Sequence, residues 1–117
     1  MKRDWDLIRQ ILFAVEAAED EERISDNDID GCTPESFNHN TLLLTEAGLV
    51  HAMILPKLKT TMVGSLTWEG HEFLDSIRND ATWNKIKIVA KEKSIELSFA
   101  SIKAIESHFL STIIASL

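Results

Sequence analysis

A single cysteine, Cys32, stands in the chain of 117 residues. An internal disulfide is therefore excluded, and a reducing, cytoplasmic home is expected. Long apolar runs are missing as well; nothing approaches the ~20 residues of a membrane span. The start, MKRDWDLIRQ, sets acids and an arginine where a signal peptide needs its apolar core. Glycine is scarce. Gly31, Gly48, Gly64 and Gly70 are scattered singly, so no phosphate-cradling glycine loop can be built from them. Positive charge is scarce in the first 48 residues, where Lys2, Arg3, Arg9 and Arg23 face twelve acids. Eight of those acids crowd the segment from Glu16 to Asp30. A protein that grips phosphates usually shows the opposite balance.

What is present suits a globular protein with one core. Hydrophobic residues make up 44% and charged residues 26%, ordinary values for that class. Trp5, Ile8, Ile11, Leu12 and Val15 recur at three- and four-residue spacing, which predicts a helix over 3–18. ISDNDIDGC, residues 24–32, is turn-rich, with a short helical turn or edge strand expected around Ile24 and Ile29. Thr33-Pro34-Glu35 is a helix start: a hydroxyl cap, then a proline at the first helical position. That helix is expected to reach Ala47 with Phe37, Leu43, Leu44 and Ala47 inward, and to end at Gly48 in a left-handed cap. Val50–Leu55 and Met62–Leu66 read as two short strands, joined by a loop over 56–61. Thr67 caps a following helix, and Gly70 permits close packing in its first turn. Further helices are expected over 81–93 and from Ser98 or Ser101 to Leu117.

The order helix, short element, helix, hairpin, helix predicts an α+β, mostly α fold. Its plan is a winged helix: a helix-turn-helix with a two-stranded β-hairpin wing and a C-terminal helical extension. The expected division is a winged-helix domain over 1–80 and an extension over 81–117, packed on that domain or mediating dimerisation. The stretches MKRDWDLIRQIL, LLLTEAGLV and especially LTWEGHEFLDSIRNDATWNKIK resemble an uncharacterised bacterial family carried by phages and prophages, the domain-of-unknown-function 2513 family. The resemblance covers residues 1 to about 90. It implies a phage or prophage context and a winged-helix-like fold, and it carries over no catalytic residues.

Two binding hypotheses follow. In helix-turn-helix proteins the second helix of the motif enters the major groove. Here that helix is 34–47, and Asn38, His39 and Thr45 are candidate base contacts. Lys57 and Lys59 on the wing are candidate phosphate contacts, and Lys85 and Lys87, with Lys91 and Lys93, form a second basic strip. Against double-stranded DNA as partner, residues 34–47 contain no Lys or Arg. The rival is protein interaction. Ile102, Ile105, Phe109, Ile113 and Leu117 form a broad apolar stripe for self-packing or a homodimer, and the acidic segment 16–30 is a solvated surface or a docking patch for a protein partner.

No enzyme is expected. A zinc-protease helix needs His at its first and fifth positions; His71 has Asp75 four residues on. No metal or cofactor site follows, and Cys32 is read as a half-buried, inert thiol. Trp5, Trp68 and Trp83 are expected as core anchors, with Trp68 partly exposed.

Overall fold

The computed structural model describes residues 1–58 and 60–117. Among them the chain forms five α-helices and one two-stranded antiparallel hairpin, an α+β arrangement that is mostly helical. It divides into two compact units, Met1–Leu74 and Asp75–Leu117.

In the first unit, α1 (Trp5–Ala17) begins at Asp4, whose carboxylate accepts the Leu7 N–H at 3.1 Å. This satisfies one of the donors that a helix start leaves unpaired. Leu7, Ile8, Ile11, Leu12 and Val15 are buried along one face. A short 3-10 turn, Asp26–Asp28, follows, flanked by the buried Ile24 and Ile29. Ile24 also pairs its backbone with Val63 in both directions at 2.9 Å, so this segment lies along the hairpin edge. Next, α2 (Pro34–Glu46) starts at Thr33, whose hydroxyl accepts the Ser36 N–H at 3.1 Å. It ends with Gly48 at φ +77°, and the Leu49 N–H reaches back to Leu44 O at 2.9 Å. A left-handed residue there costs glycine little and lets the chain turn out of the helix.

The hairpin pairs β1 (Val50–Leu55) with β2 (Thr60–Leu66), so the second strand begins two residues earlier than the hydrophobic run at Met62 suggests. Ladder hydrogen bonding carries Thr60 and Thr61 although their side chains are polar. Thr61 is buried. The register slips between His51 and Ala52, where Gly64 is the extra residue on β2. That bulge matters for the core. Val63 and Leu66 are three residues apart and belong on opposite faces of a regular strand. The inserted residue restores them to one side, and both are buried with Val50.

Thr67 joins the hairpin to α3 (Trp68–Ile77). Its hydroxyl accepts the Gly70 N–H at 3.0 Å and donates to Gly48 O, while its own N–H donates to Leu49 O at 3.0 Å. Gly70 lies so near this junction that a Cβ there would sit inside contact distance of Leu49 O. The Trp5 and Phe73 rings are 6.1 Å apart, within the range of favourable tilted aromatic pairs. Trp68, by contrast, is 76% exposed.

In the second unit, α4 (Asp80–Glu92) is capped by Asn79 and buries Trp83, Ile86 and Ala90. Ser94, at φ +53°, ends it, and α5 (Phe99–Ala115) follows from a Ser98/Ser101 capping pair. The two helices pack on each other, and Ile102 and Ile105 are the buried residues of α5.

Candidate interaction surface

The orientation of α2 decides which of its side chains the first unit exposes. Its buried residues are Phe37, Asn40, Thr41 and Leu44. The expected inward set is therefore corrected: Leu43 is half-buried and Ala47 is exposed. The spacing 37, 40, 41, 44 is a regular helical stripe, and two of its four members are polar. Asn40 can be buried because its amide is paired at both ends. Its oxygen accepts the Asp4 N–H at 2.9 Å and its nitrogen donates to Ser36 O at 2.8 Å. The missed signal was this spacing, hidden by the assumption that polar residues face out.

The rotation moves the candidate base contacts. Asn38 Oδ1 accepts from the Thr61 N–H at 3.1 Å and the Thr61 hydroxyl at 2.9 Å, tying α2 to the hairpin. Thr45 donates its hydroxyl to Thr41 O at 2.9 Å. His39 is half-buried, and its Nε2 is buried with no hydrogen-bond partner among the described residues; the same holds for Thr41 Oγ1. The exposed residues of α2 are Pro34, Glu35, Leu42 and Glu46. No lysine or arginine lies on the helix.

Beside Leu42, the hairpin opens an apolar cleft of about 230 Å³ lined by Asn38, Leu42, Ile54, Leu55, Pro56, Thr60 and Thr61. Ile54 is on the inner face of β1 but extends past the cover of α2 and is half exposed. Met53 on the other face is equally exposed, and Leu58 in the connecting turn is 71% exposed. Of the hairpin's candidate phosphate contacts, Lys57 is exposed in the connecting turn. Lys59 lies outside the described residues.

The remaining candidates fall elsewhere. Lys85 and Lys87 belong to the second unit, two residues apart on α4 and so on different sides of it. Lys85 is exposed, whereas the Lys87 ammonium lies 5.6 Å from the centre of the Trp83 ring, within cation–π range. The acidic segment contributes Glu16, Glu19, Asp20 and Glu21 to an open groove of about 500 Å³ that also takes in Arg23, His51, Ser65 and His71. On α5, Ile102 and Ile105 are internal, Phe109 is half-buried, and Ile113 and Leu117 are exposed.

Asp75 pairs with Arg78 at 2.9 Å, three residues on. Among the described residues, no group of three His, Cys, Asp or Glu side chains is placed to hold a metal. The Cys32 thiol faces Ile29 O at 3.4 Å and Asp26 O at 3.6 Å. Burial, and then the Asp26 charge, push its pKa up; a backbone hydrogen bond offsets part of this. An activated nucleophile needs the opposite shift. Among the described residues, no helix is long and apolar enough to cross a membrane.

No solved structure matches the chain. A protein of Haemophilus influenzae (strain Rd), named "Uncharacterized protein", is 38% identical over 118 residues, covering 98% of this chain and 100% of its own length. A family model described as "Hypothetical protein (DUF2513)" matches residues 2–96, from the start of the chain past α4 to just before α5. The chain belongs to the DUF2513 family.

Proposed function

We propose that this protein is a non-enzymatic, winged-helix-like binding module that engages a protein partner through α2 and the hairpin. The observation that carries the reading is the chemistry of that face. Leu42 and Ile54 border an apolar cleft, Leu58 projects beside it, and Glu35 and Glu46 are the exposed charges of α2. In a DNA-reading helix-turn-helix the corresponding helix meets phosphates and bases. Carboxylates there are repelled by the duplex, and apolar side chains gain nothing from phosphate. A protein partner suits both: apolar anchors in a pocket with a polar rim are how interfaces concentrate their energy. Burying a fully exposed Leu or Ile contributes about 1.5–3 kcal/mol, so these partly exposed side chains act as anchors within a larger contact.

The winged-helix description is supported by the element order α1, turn, α2, hairpin, α3 and by the tie between Asn38 and Thr61 that seats the hairpin against the second helix. The resemblance centred on LTWEGHEFLD supports a phage or prophage origin, in which a small binding module would act as a regulator. The lone cysteine supports a cytoplasmic setting.

Replacing Ile54 by a photo-crosslinking phenylalanine analogue in bacterial cells tests the reading. The expected result is a discrete protein adduct that disappears when Leu42→Glu is added. An adduct indifferent to Leu42→Glu, or none at all, contradicts it.

A further inference from the structure

From the free edge of β1, within the surface proposed above and resting on that proposal, we infer the form of the partner: an extended segment that adds as a strand beside β1, apolar on one face and basic on the other. The two edges of the hairpin are not alike. On β2, Val63 spends its N–H and C=O on Ile24, and the Thr61 N–H goes to Asn38 Oδ1. Along an antiparallel strand the backbone groups point alternately to one side and the other. Ala52 and Ile54 lie opposite Val63 and Thr61, so their N–H and C=O groups point away from β2. No backbone group of another element among the described residues pairs with them. Natural edge strands are guarded by charge, by proline or by a bulge. Val50–Leu55 contains no Asp, Glu, Lys, Arg or Pro, and the extra residue of the bulge lies on β2.

Backbone complementarity sets the conformation of the occupant. Donors and acceptors that recur at every second residue are matched by another strand, and strand addition at a sheet edge is a general mode of peptide recognition. Antiparallel addition gives the better-aligned bonds. The side chains set the composition. An occupant residue opposite Ala52 or Ile54 shares their face, where Ile54 is 51% exposed and borders the apolar cleft with Leu42. That position calls for an apolar side chain. The next occupant residue shares the face of His51 and Met53, which line the open groove. The same groove carries Glu16, Glu19, Asp20 and Glu21 beside Arg23, so its balance is negative. A lysine or arginine there has to reach past one strand, about 4.8 Å, which is within the length of its side chain. A second copy of β1 fits less well, because Val50–Leu55 brings no Lys or Arg to the groove and each chain carries −7.

Fluorescence anisotropy tests this with the full chain and a labelled peptide of about eight residues, lysine and valine in strict alternation, long enough for one strand. A control peptide carries the same residues in two blocks, and so the same charge. The expected result is saturable binding of the alternating peptide in the high-micromolar range, with the block peptide weaker by about tenfold or more. N-methylation of the valines removes the donors that face β1 and weakens binding about tenfold; N-methylation of the lysines, whose N–H groups face away, leaves it within about twofold. These changes leave the protein itself untouched. Ala52→Pro removes an outward N–H that the β1–β2 ladder does not use, and weakens binding in the same direction with the parental circular-dichroism spectrum. Equal binding of the alternating and block peptides overturns the inference, because the acidic segment alone would then be holding them. Absence of binding at millimolar peptide overturns it as well, as does indifference to methylation of the valines. These failures are distinct from failure of the proposed surface: an Ile54 adduct that depends on Leu42, found while the two peptides bind alike, keeps the surface and removes the strand.

Discussion

Gly70→Ala probes the junction that sets the hairpin against α3. In an ordinary exposed helix the change stabilises by up to about 1 kcal/mol, because alanine is the better helix former. Here the new methyl group would land inside contact distance of Leu49 O, 3.1 Å from Leu49 C and 3.4 Å from Leu66 Cβ. The obstructing atoms are mostly backbone and cannot rotate away. Leu49 O is held by the Thr67 N–H at 3.0 Å, and Gly48 O by the Thr67 hydroxyl. Making room for the methyl moves this strand entry and weakens both bonds, at about 1 kcal/mol each. Leu49 and Val50, both buried, lose packing as well, a loss of about 1–2 kcal/mol at partial displacement. The net expectation is a destabilisation of about 2–3 kcal/mol. For a chain of this size that lowers the melting midpoint by roughly 6–15 °C, readable by circular dichroism or calorimetry. Gly64→Ala is the control. Its Cβ would meet the flexible Arg23 guanidinium at 3.4 Å, and a loss under about 1 kcal/mol is expected. A Gly70→Ala protein as stable as its parent refutes the close approach on which the hairpin placement rests.

Other expectations are independent of that junction. Asn40→Ala strands the Asp4 N–H and Ser36 O and leaves a gap in the buried face, and should cost about 2–3 kcal/mol by urea unfolding; a neutral result contradicts the inward placement of α2. Trp68→Ala should leave stability within about 0.5 kcal/mol of the parent while removing the tryptophan emission most accessible to iodide quenching, because Trp68 is 76% exposed. Cys32 should alkylate more slowly than a free thiol, and Asp26→Asn should speed it by removing a charge that raises the pKa; parental reactivity at or above that of free cysteine contradicts this placement. Its folded pKa is above the ordinary 9.0, so its small stabilisation is present below pH 9.0 and fades as pH rises through the folded value.

Much of this frame was legible before any coordinates. Thr33-Pro34, Gly48 and Thr67 mark boundaries by local chemistry, and local chemistry is what a sequence displays. The inner face of α2 was not legible in the same way. Asn40 is buried only because Asp4, 36 residues earlier, offers its N–H, a partner that no local pattern reveals. The start of β2 was misplaced because ladder pairing, and not side-chain polarity, recruits Thr60 and Thr61. The bulge at Gly64 hid behind an apparently broken alternation. For the candidate surface, the absence of Lys and Arg from α2 was readable and pointed away from DNA. The exposed Ile54 and Leu58 were not, since alternation alone does not say where the cover of α2 stops.

The most direct test of the central claim is a salt-titrated DNA-binding measurement by fluorescence anisotropy, using the full chain and a labelled duplex of roughly 30 base pairs, long enough for a two-fold reader. With an apolar, acid-rimmed α2 and hairpin face, the expected result is no saturable binding even near 50 mM salt, where phosphate contacts are strongest, and no change on Lys57→Gln. Saturable binding that weakens steeply with salt, with a slope reduced by about one in Lys57→Gln, would mean that this face grips phosphate after all.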